Sequence, residues 1–480
     1  MFNKYSYSGL VIILFLLLQN LNYAQNVNDA LRLGVPGIGY NARALGMGNA
    51  YLGLSDDGSA AFFNPAGLGL VRKIEFGAGL EFNNAGNDVS FMGVSTNGSL
   101  SSGRLNRISL VLPFPTIQGS LVFAVGYNSV KDFSGIMKFD GFNSGNTSWI
   151  QNFTGNDLPY DLALTYPGVN GQDTSIFRGH LNQSGKITNK GSLDAWSFSG
   201  AIEVDKNLFV GANINLLTGS FESNNDYYED DFAGFYANRL TDPSVANTRG
   251  FQTFYLNRNT KWDLTGFDAK LGLIYQLQKF GRVGVTIQIP KSIKIKEEFN
   301  VDARSDFANA SYVIDQSRYS DKVEYTLTTP LELAGGFSAN YMGFILSGDA
   351  TYIDYSTMEF SDPTAITQDA LNKTNTNIQD LLRSVVNLNV GLEYTIPQIG
   401  LRVRGGFMYQ PSAYKDDPSK FDKKYVTGGL GFLTQGSFGI DFAYVHGWWS
   451  DYGDNYGSNV SRTFQDIKYN KFVLTGTFRF

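Results

Sequence analysis

From residue 73 to the carboxyl end, large apolar residues alternate with charged, small or glycine residues at a period of two, and this pattern constrains the fold more than anything else in the chain. Successive side chains of a strand point to opposite faces. Ile74, Phe76, Ala78, Leu80 and Phe82 therefore share a face opposite Glu75, Gly77, Gly79 and Glu81. Leu401, Val403, Phe407 and Tyr409 likewise oppose Arg402, Arg404 and Gly406, and Phe438, Ile440, Phe442 and Tyr444 oppose Gly439, Asp441 and Ala443. In the last piece Phe472, Leu474, Phe478 and Phe480 oppose Lys471, Thr475, Thr477 and Arg479. A soluble sandwich also alternates, but has no need of greasy groups against charge or glycine in strand after strand. The pieces run about 9 to 15 residues, near what a tilted strand needs to cross a bilayer. Hydrocarbon leaves no backbone polar group unpaired, so strands cross only in a sheet without edges. The pattern predicts an all-β, membrane-spanning antiparallel β-barrel.

The alternating pieces fall near 73–83, 104–113, 118–128, 193–204, 207–217, 263–276, 282–299, 321–340, 343–357, 386–396, 400–410, 426–434, 437–446 and 469–480, about 14 strands. Phe91 to Val94 reads either as a further strand piece or as loop. Connection lengths test the count separately. If the first strand rises from the periplasm, the periplasmic turns (Pro113–Thr116, Val204–Lys206, Gln278–Gly281, Pro397–Gly400, Thr434–Ser437) are short. Segments 129–192, 218–262, 300–320, 358–385, 411–425 and 447–468 are long, polar and all on the other side, as external loops of such barrels are. A missed strand would break that parity.

At the amino end, Lys4 precedes the apolar run Leu10 to Leu18 and a small residue at Ala24, which reads as an export signal over 1–24. No later stretch supplies the roughly 18 apolar residues of a spanning helix. Cys is 0, which excludes disulfide scaffolds and thiol chemistry, and the net charge of −6 argues against a bulk nucleic-acid binder. His180 and His446 are the only histidines, so no metal, cofactor or catalytic residue is assigned. The acidic clusters Asp226, Glu229, Asp230, Asp231 and Asp451, Asp454 lack a calcium-loop spacing and read as solvated or divalent-bridged external surface.

Residues 25–72 lack strand alternation and are too few for a core of their own. A barrel of about 14 strands has a lumen its own side chains do not fill, so the segment is expected inside as a plug. Small residues at Gly46, Gly48, Ala60, Ala61, Ala66 and Gly67 would let its backbone lie close to the wall, and Asp56, Asp57 and Asn64 would cap short helices. Glu75, Glu81, Asp268, Lys270, Asp349, Arg402, Arg404, Asp441, Lys471 and Arg479 are costly against hydrocarbon and are assigned to the lumen, to pair across the wall or with Arg43, Asp56 and Asp57.

The run A-R-A-L-G-M-G-N-A from Ala42 to Ala50, followed by L-S-D-D-G-S-A-A-F-F-N-P-A-G-L ending at Leu68, resembles the hatch signature of the FadL/TodX/OmpP1 family of outer-membrane transporters for hydrophobic compounds. Leu346 to Tyr355 and Arg404 to Pro411 are similar to that family too. The resemblance implies domains 1–24 (signal), 25–72 (hatch) and 73–480 (barrel), with Arg43, Gly46, Gly48, Asp56, Asp57, Asn64, Pro65, Ala66 and Gly67 on the hatch motif. It implies a multi-pass protein of a Gram-negative outer membrane whose loops gather an apolar substrate and whose wall opens sideways at a kinked strand.

The expected function is passive transport of hydrophobic compounds, long-chain fatty acids or aromatic hydrocarbons, with rearrangement of the glycine-rich segment 46–58 as the gate. No enzymatic activity is expected. The alternative is a related barrel serving as a surface scaffold for secreted protein cargo. Expected partners are hydrophobic small molecules, outer-membrane lipids and lipopolysaccharide, and the insertion machinery that reads the terminal aromatic strand; no nucleic acid is expected. Within 358–385, Ile366, Ala370, Ile378, Leu381, Leu382 and Val385 have helical spacing, for a helix that lines a groove or simply covers the barrel mouth. Trp149, Phe153, Tyr227, Tyr228, Phe232 and Phe235 are read as exposed loop aromatics that meet ligand, lipopolysaccharide or one another.

Overall fold

The computed structural model describes residues 26–152, 157–168, 171–434, 437–454 and 462–480, so the signal segment 1–24 and Phe153 lie outside the described residues. Fourteen strands close into one antiparallel barrel. They are β1 (Glu75–Phe91), β2 (Val94–Phe114), β3 (Leu121–Asp132), β4 (Leu181–Asp205), β5 (Leu208–Asp230), β6 (Phe251–Leu277) and β7 (Gly281–Gln288, resuming as Ser292–Phe307). The circuit continues through β8 (Asp321–Thr328, resuming as Glu332–Tyr341), β9 (Phe344–Asp354, resuming as Glu359–Thr364), β10 (Ser384–Ile396), β11 (Leu401–Gln410), β12 (Lys423–Thr434), β13 (Phe438–Asp454) and β14 (Arg462–Arg479). Neighbours in sequence pair in turn, and β1 pairs with β14 from Glu75↔Arg479 to Ser90↔Phe464, which removes the last edge. No described helix is long and apolar enough to cross a membrane.

The alternation maps onto the two faces as expected. Phe76, Leu80, Phe82, Leu392, Ile440 and Leu474 are exposed on the outside, while Glu75, Glu81, Asp268, Asp349, Arg404 and Lys471 are buried within. Strand lengths differ from expectation. β6 has 27 residues, whereas about 9–11 cross the hydrocarbon, so strands rise well beyond the band on the long-loop side. Residues 84–103 are strand, not loop: β1 and β2 meet at Met92-Gly93, both with positive φ (50° and 81°), as a tight two-residue hairpin demands. Much of 218–262 and 447–468 is likewise strand. Within 129–192, Gly135–Asn143 pairs with the start of β4; its alternation of Met137 and Phe139 against Lys138 and Asp140 is visible in the sequence.

The segment before β1 lies in the lumen. It has helices Val27–Gly34, Ala42–Gly46 and Ala60–Phe63 and a 3-10 turn, Pro65–Leu70. Asn26 and Asp29 form a reciprocal cap on the first helix. Above this plug, on the long-loop side, an apolar layer fills the barrel. A second aromatic cluster, built from the strand extensions and loops, forms a cap.

Candidate functional site

The plug touches the wall nearly all the way around. Ala42 N donates to Thr475 Oγ1 at 3.1 Å, Gly48 N to Thr427 Oγ1 at 3.0 Å, and Tyr51 N and Leu52 N both to Asp349 Oδ2 at 2.7 and 2.8 Å. From the wall, Asn106 Nδ2 donates to Tyr40 O at 3.0 Å, Ser120 Oγ to Gly69 O at 2.8 Å, and Lys270 Nζ to Phe62 O at 2.6 Å. These bonds satisfy plug backbone groups that its short helices leave unpaired.

Wall glycines make the close approach possible. Gly211 and Gly272 are opposite one another, as are Gly284 and Gly336, and Gly391 and Gly406. A Cβ on Gly211 would overlap Pro65 and Ala66, on Gly272 the Asn64 side chain, on Gly391 Met47 O, and on Gly406 the Gly48 backbone. Gly48 itself has φ +59, and a side chain there would strike Phe407 and Val390 backbone atoms. The Asn64-Pro65-Ala66 motif thus sits on bare strand backbone. Asn64 Nδ2 donates to Leu273 O at 3.1 Å while its Oδ1 accepts from Ala66 N at 3.2 Å. Gly67 departs from expectation: it packs on Ser55 inside the plug, not on the wall. Ala60 and Ala61 pack on Val111, Val122 and Ala201 of the wall.

A buried charge knot completes the seat. Arg43 donates from Nε and NH2 to the two oxygens of Glu393 at 3.1 and 3.2 Å, and from NH1 to Tyr51 OH at 3.1 Å and Asp56 Oδ1. Arg404 donates to the same Glu393 at 2.6 Å and pairs with Asp441 at 2.7 Å. Arg282 donates to Asp56 at 3.1 Å, Tyr51 OH to Asp57 at 2.8 Å, and Gly58 N to Glu75 at 2.8 Å. Arg479 and Arg107 flank Glu75 at 2.9 and 3.6 Å. Burial alone would raise the Asp56 carboxyl, but Arg43 and Arg282 outweigh it and hold the group well below the usual carboxylate range. Asp57 is lowered in the same way by Arg107 and Arg43.

Asp56 is therefore an ion-pair member and caps no helix, contrary to expectation; Asp57 accepts from Ser59 N at 2.8 Å and Asn64 from Ala66 N. Arg43, Asp56 and Asp57 meet in one knot with Glu75, Arg404, Asp441 and Arg479. Glu81 and Lys471 pair separately at 2.7 Å with Arg104 beside them. Glu393, Arg107 and Arg282 were not singled out from sequence. Glu393 shares the inward parity of β10 and was legible; Arg107 follows a register shift that hides its face.

Above the hatch lies a small cavity of about 150 Å³, lined by Asn49, Leu52 and Phe62 of the plug and by Asp268, Lys270, Lys291, Glu332 and Asp349 of the wall. It is a poor place for hydrocarbon. The apolar layer begins above it, where Leu33 of the first helix packs with Phe221, Trp262, Tyr325, Met358 and Phe360. The expected loop helix is real, Gln368–Leu381, and it turns Leu371 and Ile378 into this layer while Leu381 stays exposed.

Several expected surface groups are interior. Trp149 stacks on Phe254 at 5.0 Å, and Tyr227 is buried in the cap. Phe232 is exposed, and Phe235 stacks on His180 at 4.3 Å. Glu229 is not solvated: it accepts from Ser148 Oγ at 2.6 Å, Gln183 Nε2 at 2.7 Å and Trp149 N at 2.9 Å, and burial pushes its carboxyl up. Among the described residues no group of three or more His, Cys, Asp or Glu is placed to hold a metal ion. His446 Nδ1 lies 2.9 Å from Asn470 Oδ1.

A family profile described as outer membrane protein transport protein (OMPP1/FadL/TodX) matches residues 39–466. A search of curated protein sequences gave no significant match. Among solved structures the chain is similar to a Pseudomonas aeruginosa FadL homologue, at 15% identity over 93% of this chain and 99% of that one, TM-score 0.54. It is also similar to the Pseudomonas putida toluene transporter TodX, at 15% identity over 88% and 94%, TM-score 0.53. The Ralstonia pickettii toluene transporter TbuX matches at 17% identity over 92% and 99%, TM-score 0.50.

Proposed function

Since the chain belongs to the OMPP1/FadL/TodX family of outer-membrane transport proteins, we propose that it carries hydrophobic small molecules passively across the outer membrane and releases them sideways. The observation that supports this best is the apolar layer in the long-loop half of the lumen, closed below by a polar, tightly bonded hatch. A solute leaving that layer for water loses about 0.8 kcal/mol per CH₂, so a sideways route into lipid is favoured over passage downward.

Of long-chain fatty acids and aromatic hydrocarbons, the fatty acid is our reading for this chain. Lys131 donates to Val35 O at 2.6 Å beside the apolar layer, among the cations Lys423, Arg32 and Lys291, of which Arg32 and Lys291 already pair with Asp29 and Glu332. A carboxylate head would balance Lys131, which a neutral ring does not. In this reading the hatch does not gate. Segment 46–58 is fixed by Asp349, Thr427 and Glu75, so the helix Val27–Gly34 is the movable element. The long loops face outward toward lipopolysaccharide.

The test is to soak purified protein with a mixture of fatty acids and alkylbenzenes, wash, extract and identify what is retained. Retention of fatty acids by the native chain and its loss in Lys131→Met supports the reading. Retention of neither, with capture of a secreted protein instead, favours the scaffold alternative.

A further inference from the structure

One edge of β2 is covered by no strand. Pairing with β3 ends at Arg107↔Asn128, and over residues 94–106 β2 pairs with β1 alone. The register on β1 jumps from Gly79↔Arg107 to Leu80↔Leu105, so Asn106 is an extra residue, a bulge that turns β2 away from β3. The chain that continues β3 does not close the gap. Gly135–Asn143 pairs with β4 and passes beneath the β1–β2 hairpin. There a Cβ on Gly98 would meet the Ile136 side chain, Asn87 Nδ2 donates to Ile136 O at 3.0 Å, and the Phe91 and Phe139 rings meet edge to face at 5.1 Å. The other edge of β4 is taken by β5.

The turn decides which backbone groups are left. A two-residue turn with both φ positive makes Phe91↔Val94 a hydrogen-bonded pair, and bonded pairs then recur at every second step. Val89↔Thr96, Asn87↔Gly98, Ala85↔Leu100 and Asn83↔Ser102 are therefore the bonded ones. Ser95, Asn97, Ser99, Ser101 and Gly103 turn their N–H and C=O groups the other way. All five are exposed, and among the described residues none of these groups meets a backbone partner.

The edge stands clear of lipid. Phe82 and Leu105 are the last large apolar residues on the outer face of the hairpin, which above them carries Asn84, Gly86, Asp88 and Ser90. Nor is the edge blunted in the usual ways. Residues 94–106 include no proline and no lysine, their one charge, Arg104, turns inward to Glu81 at 2.8 Å, and the ladder with β1 has no bulge between Val94 and Leu105. Serine, asparagine and glycine side chains keep it soluble without closing it.

We propose that this edge is a docking site for an extended segment of another protein, which adds to β2 as a further strand outside the cell. Backbone bonds to the outward residues supply the attraction, and the small side chains around them accept Thr, Ser or Val while offering no pocket for a large group. A second copy of this chain does not fit. Two barrels in one membrane are related by an axis along its normal, so strands tilted about 35–45° would cross at about 70–90°, which forms no ladder. The edge is separate from the lumen, and the proposal stands whatever the barrel carries.

The test uses a fluorescein-labelled peptide of about ten alternating Thr and Val residues with Lys at each end, added to the native protein in detergent micelles. Binding is followed by anisotropy and amide exchange is read residue by residue. We expect exchange at Ser95, Asn97, Ser99 and Ser101 to slow about tenfold, while Thr96, Gly98 and Leu100, already bonded to β1, stay as they are. Ser99→Pro with Ser101→Pro removes two outward donors and no bond to β1, and should weaken binding about tenfold. Ser99→Ala with Ser101→Ala spares the backbone and should bind as the native chain does. The same peptide N-methylated at two adjacent central residues, which strips an N–H from each of its edges, should not bind. Absence of binding by the unmodified peptide overturns the proposal, and so does binding that leaves the outward amides unprotected or that the proline pair does not weaken. Protection of those amides without peptide, rising with protein concentration, overturns it in favour of a second copy. Should the proline pair not fold, the exchange pattern of the native chain decides alone.

Discussion

Residues 41–71 and the helix Val27–Gly34 belong to one amino-terminal segment in one lumen, yet opposite physics holds them. The first is seated on bare strand backbone by hydrogen bonds and a buried charge knot through Glu393, Asp56 and Glu75. The second packs Val27, Ala30 and Leu33 into an apolar layer and has few directional bonds to the wall. A buried ion pair has little net worth against a greasy replacement, but losing one partner strands the others. The hatch is therefore fixed in an all-or-none way, while the helix can slide or lift at a graded cost. Removing Glu393 should be the harshest break. Glu393→Ala leaves Arg43 and Arg404 buried without their shared carboxylate and should cost about 3–5 kcal/mol, read as a shifted guanidinium midpoint in detergent micelles. A milder cost than that of Val27→Ala would reverse the comparison.

The next effect tests the glycine seat. Gly391→Val drives a side chain into Met47 O, with Gly406 opposite equally occupied by Gly48. Overpacking of this kind costs about 1–3 kcal/mol. Faster amide exchange should be confined to residues 41–71, with the first helix unchanged.

How much of this was legible follows from distance. The lumen and lipid faces of β1, β11, β13 and β14 could be read directly, because alternation is local and hydrocarbon enforces it. Strand ends could not, since β4, β5 and β6 keep alternating after they leave the hydrocarbon. Asp56 reads as a cap because one of its two partners, Arg282, is far away in sequence and is brought near only by closure of the sheet, while the other, Arg43, lies in its own segment. Pro290 and Pro330 were visible breakers, but only the register shows that they face each other. Leu371, seven residues before Ile378, shares its helix face and turns inward with it.

Two carboxyls sharpen the contrast through pH, with opposite signs. Asp56 is held low by Arg43 and Arg282, so its contribution is present above the ordinary carboxyl range of about 4 and is lost only as pH falls through the depressed value. Glu229 is raised by burial against its hydrogen bonds, so its contribution is complete below that range and is lost as pH rises through the raised value. Hydrogen exchange around Asp56 should be unchanged from neutral pH down to about 4, while the cap around Trp149 loosens as pH climbs. Glu229→Gln should flatten the cap profile; loosening around Asp56 well before pH falls to about 4 would contradict the assignment.

The smallest effect lies on the helix. The Arg32 guanidinium stands 4.3 Å from the centre of the Phe221 ring and 5.5 Å from that of Trp262, while pairing with Asp29 on its own helix. Replacing it by methionine keeps the apolar stem but forfeits about 0.5–1 kcal/mol of cation–π attraction together with the pair to Asp29. The unfolding midpoint should therefore move little, because global unfolding is governed by the wall and hatch. Local opening of the helix should become more frequent, since that event breaks only the contacts Arg32 shares with the layer. Arg32→Met is thus expected to leave exchange at 41–71 as it is and to speed exchange at 27–34. If both parts respond together, the segment moves as one body and the division between fixed hatch and movable helix is wrong.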